Sequence, residues 1–213
     1  MILPKEGYLQ KLREISRDND ILLIFDEVIT GFRLAFGGAQ EYFGIKADLV
    51  TYGKVVGGGL PFAIFGGRRD VMENLAPKGK VYQAGTYSGN PLSVSVALHV
   101  VKELRKRSNS IYSELDRNCR TISRALRELV EKEEIDANVN SIASMFQIFF
   151  TKNDVIDYAS ALTSNTTIFK KYFSGLLSAK IFTPPSQFET CFLSLAHTKE
   201  DVNTTVETLS EVM

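Results

Sequence analysis

Three features that would mark out a class of protein are missing from this 213-residue chain: an excess of one charge, clustered cysteines and long apolar runs. Its 25 basic and 25 acidic residues cancel, so no net field would draw it to nucleic acid or to an anionic membrane surface. Apolar runs such as residues 21–25 are far shorter than the roughly 20 residues that span a bilayer. The N-terminal residues do not resemble a signal peptide. We therefore expect a soluble, cytoplasmic protein without nucleic-acid or membrane partners.

The two cysteines, Cys119 and Cys191, lie far apart and have no Cys or His neighbours at metal-ligand spacing. This usage is typical of a reducing compartment and argues against a disulfide scaffold or a zinc site. The glycines at 37–38 and 57–59 do not form a G-x-G-x-x-G or P-loop pattern after a strand. Nucleotide binding and metal binding are therefore disfavoured.

The first half of the chain reads as alternating helices and strands. An amphipathic helix begins near residue 4, and the apolar run 21–25 is typical of a strand covered on both faces in a parallel sheet. Asn90 and Pro91 form a helix start, because Asn caps free N–H groups and Pro suits the first helical position. After the first strand, strands are predicted at 47–53 and 62–67, and helices are predicted at 68–75 and 92–107.

The composition changes near residue 108, where a long charged amphipathic helix, 111–134, is predicted. An α+β pattern follows, with strands predicted at 144–151 and 191–195 and helices predicted at 166–178 and 200–212. A set of aromatic residues has the spacing of a core: Phe146, Phe149, Phe150, Phe169, Tyr172 and Phe173. We predict two domains, 1–107 and 108–213.

Lys54 stands between a predicted strand and the glycines 57–59. A lysine beside glycines is usually a solvated loop residue. A Schiff-base lysine, however, must be reached by a planar cofactor, which glycines permit, and must lose its proton easily. Lys54 is therefore a candidate covalent anchor for an aldehyde cofactor.

Asp26 ends the first predicted strand, at the edge of an α/β sheet where ligands bind. A carboxylate in this place often caps a helix or faces water. Alternatively, it keeps the pyridine nitrogen of pyridoxal phosphate protonated, and Asp26 and Lys54 would then hold one cofactor. The helix start at Asn90 is a possible phosphate site. His99 is better explained as a packed or partly exposed residue. His197 is better explained as a turn residue before Thr198, which is predicted to cap the next helix.

Five segments together resemble the glutamate-1-semialdehyde 2,1-aminomutases, a branch of the class III pyridoxal-phosphate-dependent aminotransferases: LLIFDEVITGFR, DLVTYGKVVGGGLP, FGGRRDVM, YQAGTYSGNP and PPSQFETCFLSLAHT. The first two are typical of class III as a whole, whereas the last two favour the aminomutases. The resemblance implies an α/β, fold-type-I architecture: part of a large domain with parallel-type strands, and an α+β small domain.

The same resemblance implies an isomerase that converts (S)-4-amino-5-oxopentanoate to 5-aminolevulinate in tetrapyrrole (porphyrin) synthesis. Two alternatives are a class III aminotransferase of another amino/oxo substrate pair and a non-catalytic fragment. The resemblance implies that Lys54 anchors the cofactor and moves protons, that Asp26 contacts the ring nitrogen, and that Val28 packs on the ring. It also implies that Gly85 and Thr86 reach the cofactor phosphate of the neighbouring subunit in a homodimer, and that Glu189 is close to substrate.

Family members are about twice as long, and the resemblance covers their C-terminal half. We expect the other half to supply the remaining phosphate loop, the ring-stacking aromatic residue, the substrate-binding arginine and the gating loop. The 213-residue chain by itself is therefore expected to lack aminomutase activity. Its unpaired sheet edges and apolar faces should aggregate or recruit a partner, such as a separate N-terminal half.

Overall fold

The computed structural model describes residues 1–213, which divide into two compact units. The first unit comprises residues 6–109, and the second comprises residues 110–213 together with residues 1–5. The predicted domain ranges, 1–107 and 108–213, differ from these units chiefly in residues 1–5. Those residues belong with the second unit because Met1 contacts it: its backbone carbonyl accepts a hydrogen bond from Asn140 Nδ2 at 3.1 Å.

The first unit contains a three-stranded sheet in the order β1-β2-β3. Its strands are β1 Ile24–Glu27, β2 Leu49–Tyr52 and β3 Ile64–Gly67. β1 and β2 are parallel, but β3 is antiparallel to β2. The expectation of parallel-type strands thus holds for the first pair only, because the connection between β2 and β3 is too short for the crossover that a parallel pair needs.

The apolar run 21–25 is not covered on both faces, so that expectation is wrong for this chain. Ile21 and Ile24 are each 56% exposed, and only the end of the run pairs with β2. The strand instead extends through Asp26 to Glu27. The run is apolar like that of a buried strand, but the 213 residues do not provide a second layer to cover it.

Four helices accompany this sheet: α1 Tyr8–Asp18, α2 Gly38–Phe43, α3 Arg69–Met72 and α4 Pro91–Lys106. The predicted start of α4 is confirmed, since Asn90 Oδ1 accepts hydrogen bonds from the N–H groups of Leu92 and Ser93, both at 3.1 Å. α2 was not anticipated, and α3 is shorter than the predicted 68–75.

The glycines after Lys54 allow α4 to pack closely. A 3-10 turn, Lys54–Gly57, contacts α4, and the next residue, Gly58, has φ +57°. A Cβ atom at Gly58 would lie 2.8 Å from Val96 Cγ1 and 2.9 Å from Val100 Cγ2. Gly58 is therefore required both by its left-handed backbone and by the helix beside it.

The second unit is an antiparallel sheet with helices. Its strands are β4 Asn138–Ile142, β5 Met145–Phe149 and β6 Cys191–Phe192, in the order β4-β5-β6. Its helices are α5 Ser108–Lys132, α6 Tyr158–Leu162, α7 Thr166–Ser178 and α8 Lys199–Val212. α7 has the predicted bounds. β4 and α6 were missed, because the β4 segment NVNSI is largely polar and lacks a clear hydrophobic alternation.

The aromatic core predicted for this unit is largely confirmed. Phe149 is 1% exposed, and the ring centroids of Phe150 and Tyr172 lie 5.5 Å apart, edge to face. Phe146 and Phe169 are also buried, whereas Phe173 is only half-buried. Every residue of β5 is buried, so this strand forms the centre of the unit.

Both cysteines are unpaired, and burial raises the pKa of each thiol to about 12. Such thiols are poor nucleophiles at neutral pH. No group of three His, Cys, Asp or Glu side chains in the chain could hold a metal ion. None of the helices has both the length and the apolar character needed to cross a bilayer.

Candidate functional site

Asp26 lies at the carboxyl end of β1, directly opposite Thr51 of the parallel strand β2. Its Oδ1 atom accepts hydrogen bonds from the Val28 N–H at 3.0 Å and from the Thr51 hydroxyl at 2.9 Å. The Val28 N–H, the Thr51 hydroxyl and the positive charge of Lys54 lower the pKa of Asp26, in that order of size. Asp26 is exposed and ionised at neutral pH, so it can accept a hydrogen bond from a cationic ring nitrogen.

Lys54 follows β2 and begins the 3-10 turn. Its side chain is exposed, and its backbone is left-handed, with φ +48°. This conformation is uncommon for any residue except glycine, and such outliers cluster at functional sites. β1 and β2 are parallel, so Asp26 and Lys54 both come at the carboxyl edge of the sheet, and the charge of Lys54 reaches Asp26.

A cavity of about 530 Å³ lies beside this edge within the first unit. Its walls include three of the predicted cofactor residues, Val28, Gly85 and Thr86. Thr51 also lines the cavity and bonds to Asp26, so it connects the carboxylate to the cavity wall. Lys54 is not part of the wall. The rest of the lining is mainly apolar and aromatic: Tyr52, Pro61, Phe62, Ala63, Ile64, Phe65, Gln83, Tyr87, Ser88 and Gly89.

Glu189 belongs to the second unit. It is exposed, and its N–H donates to the Ser186 carbonyl at 3.1 Å, which places it in a turn before β6. It borders a small cavity that Gln147 and Tyr172 also line. Its assignment as a substrate-proximal acid remains a prediction.

The sequence reasoning missed the role of Glu27, whose side chain is fully buried. Its carboxylate accepts hydrogen bonds from the N–H groups of Ala39 at 2.6 Å and Gln40 at 3.0 Å, and from the Thr30 hydroxyl at 2.9 Å. It therefore satisfies free N–H groups in the first turn of α2 and fixes that helix to β1. Strand alternation was the available signal, since adjacent residues of a strand face opposite sides.

Asp48 is a second buried acid that sequence reasoning missed. Its carboxylate accepts from the Leu23 N–H at 2.9 Å, from Arg13 Nη1 at 2.7 Å and from Arg68 Nη1 at 3.2 Å. The Leu23 hydrogen bond and then the two guanidinium groups lower the pKa of Asp48 to about 2. This carboxylate joins α1, the start of the sheet and the segment after β3, and so holds the strands that carry Asp26 and Lys54.

The sequence predicted that His99 is packed or partly exposed and that His197 lies in a turn. His99 is exposed on α4. His197 Nδ1 accepts a hydrogen bond from the Ser194 N–H at 3.0 Å, within the turn before α8. The hydroxyl of Thr198 then caps α8 by accepting from the Asp201 N–H at 3.1 Å, as predicted.

Comparison with protein families gives a match over nearly the entire chain. The model of the aminotransferase class-III family matches residues 1–212. The chain belongs to the class-III aminotransferase family. It is 51% identical over 213 residues to a glutamate-1-semialdehyde 2,1-aminomutase from Hydrogenobaculum sp. (strain Y04AAS1), a match that covers 100% of this chain and 50% of the relative. The chain thus spans about half the length of the curated relatives it matches.

Solved structures agree with the class-III assignment. An omega-transaminase from Sphaerobacter thermophilus superposes with a TM-score of 0.89 at 27% identity, over 99% of this chain and 48% of that one. A glutamate-1-semialdehyde-aminomutase from Pseudomonas aeruginosa PAO1, in complex with PMP, superposes with a TM-score of 0.86 at 22% identity. This match covers 100% of this chain and 48% of that one. The second likeness shows the fold alone. Together they confirm a partial class-III transaminase fold.

Proposed function

We propose that this chain is the lysine-bearing part of a pyridoxal-phosphate-dependent glutamate-1-semialdehyde 2,1-aminomutase. The reaction would convert (S)-4-amino-5-oxopentanoate to 5-aminolevulinate in tetrapyrrole synthesis. The observation that carries the proposal is 51% identity across all 213 residues to a relative of that name. The match covers the Lys54 segment and the narrower YQAGTYSGNP and PPSQFETCFLSLAHT segments.

The residues at the edge of the sheet fit the proposed cofactor. When bound, pyridoxal phosphate supplies an electron sink, which works best with its ring nitrogen protonated. Asp26 suits this task because two hydrogen bonds and the charge of Lys54 keep it ionised. Lys54 offers a primary amine that anchors an aldehyde, and after release the same amine would carry a proton between neighbouring carbons of the substrate.

The remaining assignments place contacts around the ring and the phosphate. Val28 would pack against one ring face, and its position in the cavity wall supports this role. The Gly85 N–H and the Thr86 hydroxyl would bind phosphate, in the neighbouring subunit's site of a homodimer. Glu189 would act near the substrate.

We further propose that activity needs the segment that the relatives carry beyond the matched half, in the same polypeptide or in a separate chain. Apolar side chains of the sheet are exposed to solvent in the 213-residue chain: Ile24 is 56% exposed and Phe65 is 45% exposed. Each outer edge of the three-stranded sheet also lacks a neighbouring strand. Surfaces of this kind favour association with another segment.

The test is complementation. The 213-residue chain is purified alone and after co-expression with the unmatched half of the Hydrogenobaculum relative. Bound cofactor is measured by its visible absorbance, and 5-aminolevulinate is measured without any external amino acceptor. Lys54→Gly is the matched control, because glycine keeps the left-handed backbone and removes the amine.

The expected result is cofactor binding and product formation only in the complemented protein, both lost in Lys54→Gly. Amino transfer to a supplied oxo-acid, without formation of 5-aminolevulinate, would identify an aminotransferase of another substrate pair, because an aminomutase needs no second substrate. A complemented protein that binds no cofactor would be a non-catalytic fragment, and the proposal would be wrong.

A further inference from the structure

The two hydrogen bonds to Asp26 both end on the same oxygen. Val28 N–H and Thr51 Oγ1 lie 3.0 and 2.9 Å from Oδ1. A carboxylate oxygen has two lone-pair sites, so these donors occupy Oδ1 fully. Oδ2 receives no hydrogen bond from the chain, and it remains available to a ligand.

The donor arrangement also fixes the rotation of the carboxylate. The Val28 N–H approaches from the same strand end, and the Thr51 hydroxyl approaches from the neighbouring strand at the directly opposed position. Two donors from different segments, the turn after β1 and the strand β2, restrict rotation about the Cβ–Cγ bond more than either would by itself. Lys54 is the charged group whose field reaches this carboxylate.

We infer that Thr51 is a positioning residue, which turns Asp26 so that Oδ2 receives the N–H of the cationic ring of the cofactor. The inference rests on the proposed function and specifies how its ring-nitrogen contact is held. Thr51 acts through Asp26, and its location in the cavity wall, beside Val28, puts the hydroxyl at the boundary between the carboxylate and the cavity.

The threonine offers a matched pair of variants. Thr51→Val keeps the branched shape and the preference for strands but removes the hydroxyl, whereas Thr51→Ser keeps the hydroxyl and removes the methyl group. A role in packing alone would make serine the more harmful change. A role in positioning makes valine the more harmful change and predicts rescue by serine.

The first measurement uses the complemented protein without cofactor. The carboxyl ¹³C resonance of Asp26, assigned with Asp26→Asn, is followed by NMR as a function of pH. We expect the pKa of Asp26 to rise in Thr51→Val, because one donor to the ionised form is lost, and to stay at the wild-type value in Thr51→Ser. Circular dichroism checks that each variant is folded.

The second measurement uses the complemented protein and the dissociation constant of pyridoxal phosphate, obtained by equilibrium dialysis. We expect Thr51→Val to weaken binding about three- to tenfold, as for loss of one hydrogen bond, and Thr51→Ser to change it less than about twofold. If wild type binds the cofactor and Thr51→Val binds it equally well, the inference fails and the proposed function stands. If serine is as harmful as valine in both measurements, the inference also fails. If wild type binds no cofactor, both fail.

Discussion

Asp26 and Glu27 are adjacent in the chain, yet their carboxylates serve opposite faces of the same strand. Asp26 is exposed and bonds to Thr51 across the parallel pair, whereas Glu27 is fully buried and bonds to the first turn of α2. The alternation of side chains along β1 accounts for the difference. Glu27 holds the strand in place, and this orientation leaves Asp26 open to a ligand.

Replacing Glu27 should therefore destabilise the first unit. Glu27→Gln keeps the size of the side chain, but its amide group would face a backbone N–H and leave buried donors unsatisfied. We expect a loss of about 2–3 kcal/mol in the free energy of unfolding, measured in urea. Glu41→Gln is the control, because Glu41 is exposed and accepts one hydrogen bond, from the Gly37 N–H at 2.6 Å. A cost as large for Glu41→Gln would contradict the assigned role of Glu27.

Replacing Lys54 with glycine should relieve the strain of its left-handed backbone. With φ +48°, any residue that has a Cβ atom is strained there, and glycine is not. We expect Lys54→Gly to be more stable than Lys54→Ala by about 1 kcal/mol, measured by thermal or urea unfolding. Neither variant retains the amine, so both should fail to attach the cofactor in the complemented protein. Equal stability of the two variants would show that the left-handed backbone is not kept in solution.

Gly58 and Gly59 allow the cost of packing to be separated from the cost of backbone conformation. Both have positive φ, +57° and +92°, but only a Cβ at Gly58 would meet α4, while a Cβ at Gly59 has no neighbour within 4 Å. Gly58→Ala should lower the free energy of unfolding about 1–3 kcal/mol more than Gly59→Ala, since Val96 and Val100 would have to move. If the two alanine variants unfold alike, α4 does not pack on this turn.

Asp48 should make stability depend on pH in acid. Its pKa in the folded chain is about 2, below the usual 3.8, so its contribution is fully present above about pH 4 and is lost as the pH falls toward 2. Asp48→Asn removes that contribution at all pH values. We expect wild type to exceed the variant by about 1–2 kcal/mol at pH 6, and the difference to shrink steadily between about pH 4 and pH 2. Urea unfolding at several pH values measures the difference in free energy of unfolding between wild type and Asp48→Asn. A difference that stays constant with pH would contradict the lowered pKa of Asp48.

Features that depend on near neighbours in the chain were predicted well. The cap of α4 at Asn90, the cap of α8 at Thr198 and the bounds of α7 follow from side chains within a few residues. β4 was missed because its polar segment becomes a strand only by pairing with the buried strand β5. The antiparallel direction of β3 and the open faces of β1 were also misjudged, since each depends on what lies beside the strand.

The sequence by itself determined the candidate chemistry, because Lys54 and Asp26 occur in motifs at strand ends and the class-III family is recognisable from those motifs. Only the tertiary structure decided how the residues are held. It separated the exposed Asp26 from the buried Glu27, connected Asp26 to Thr51, and brought Val28, Gly85 and Thr86 to one cavity. These contacts join residues that are distant in the chain, through hydrogen bonds between strands and through the packing of a helix on a glycine. Local sequence patterns do not predict such contacts.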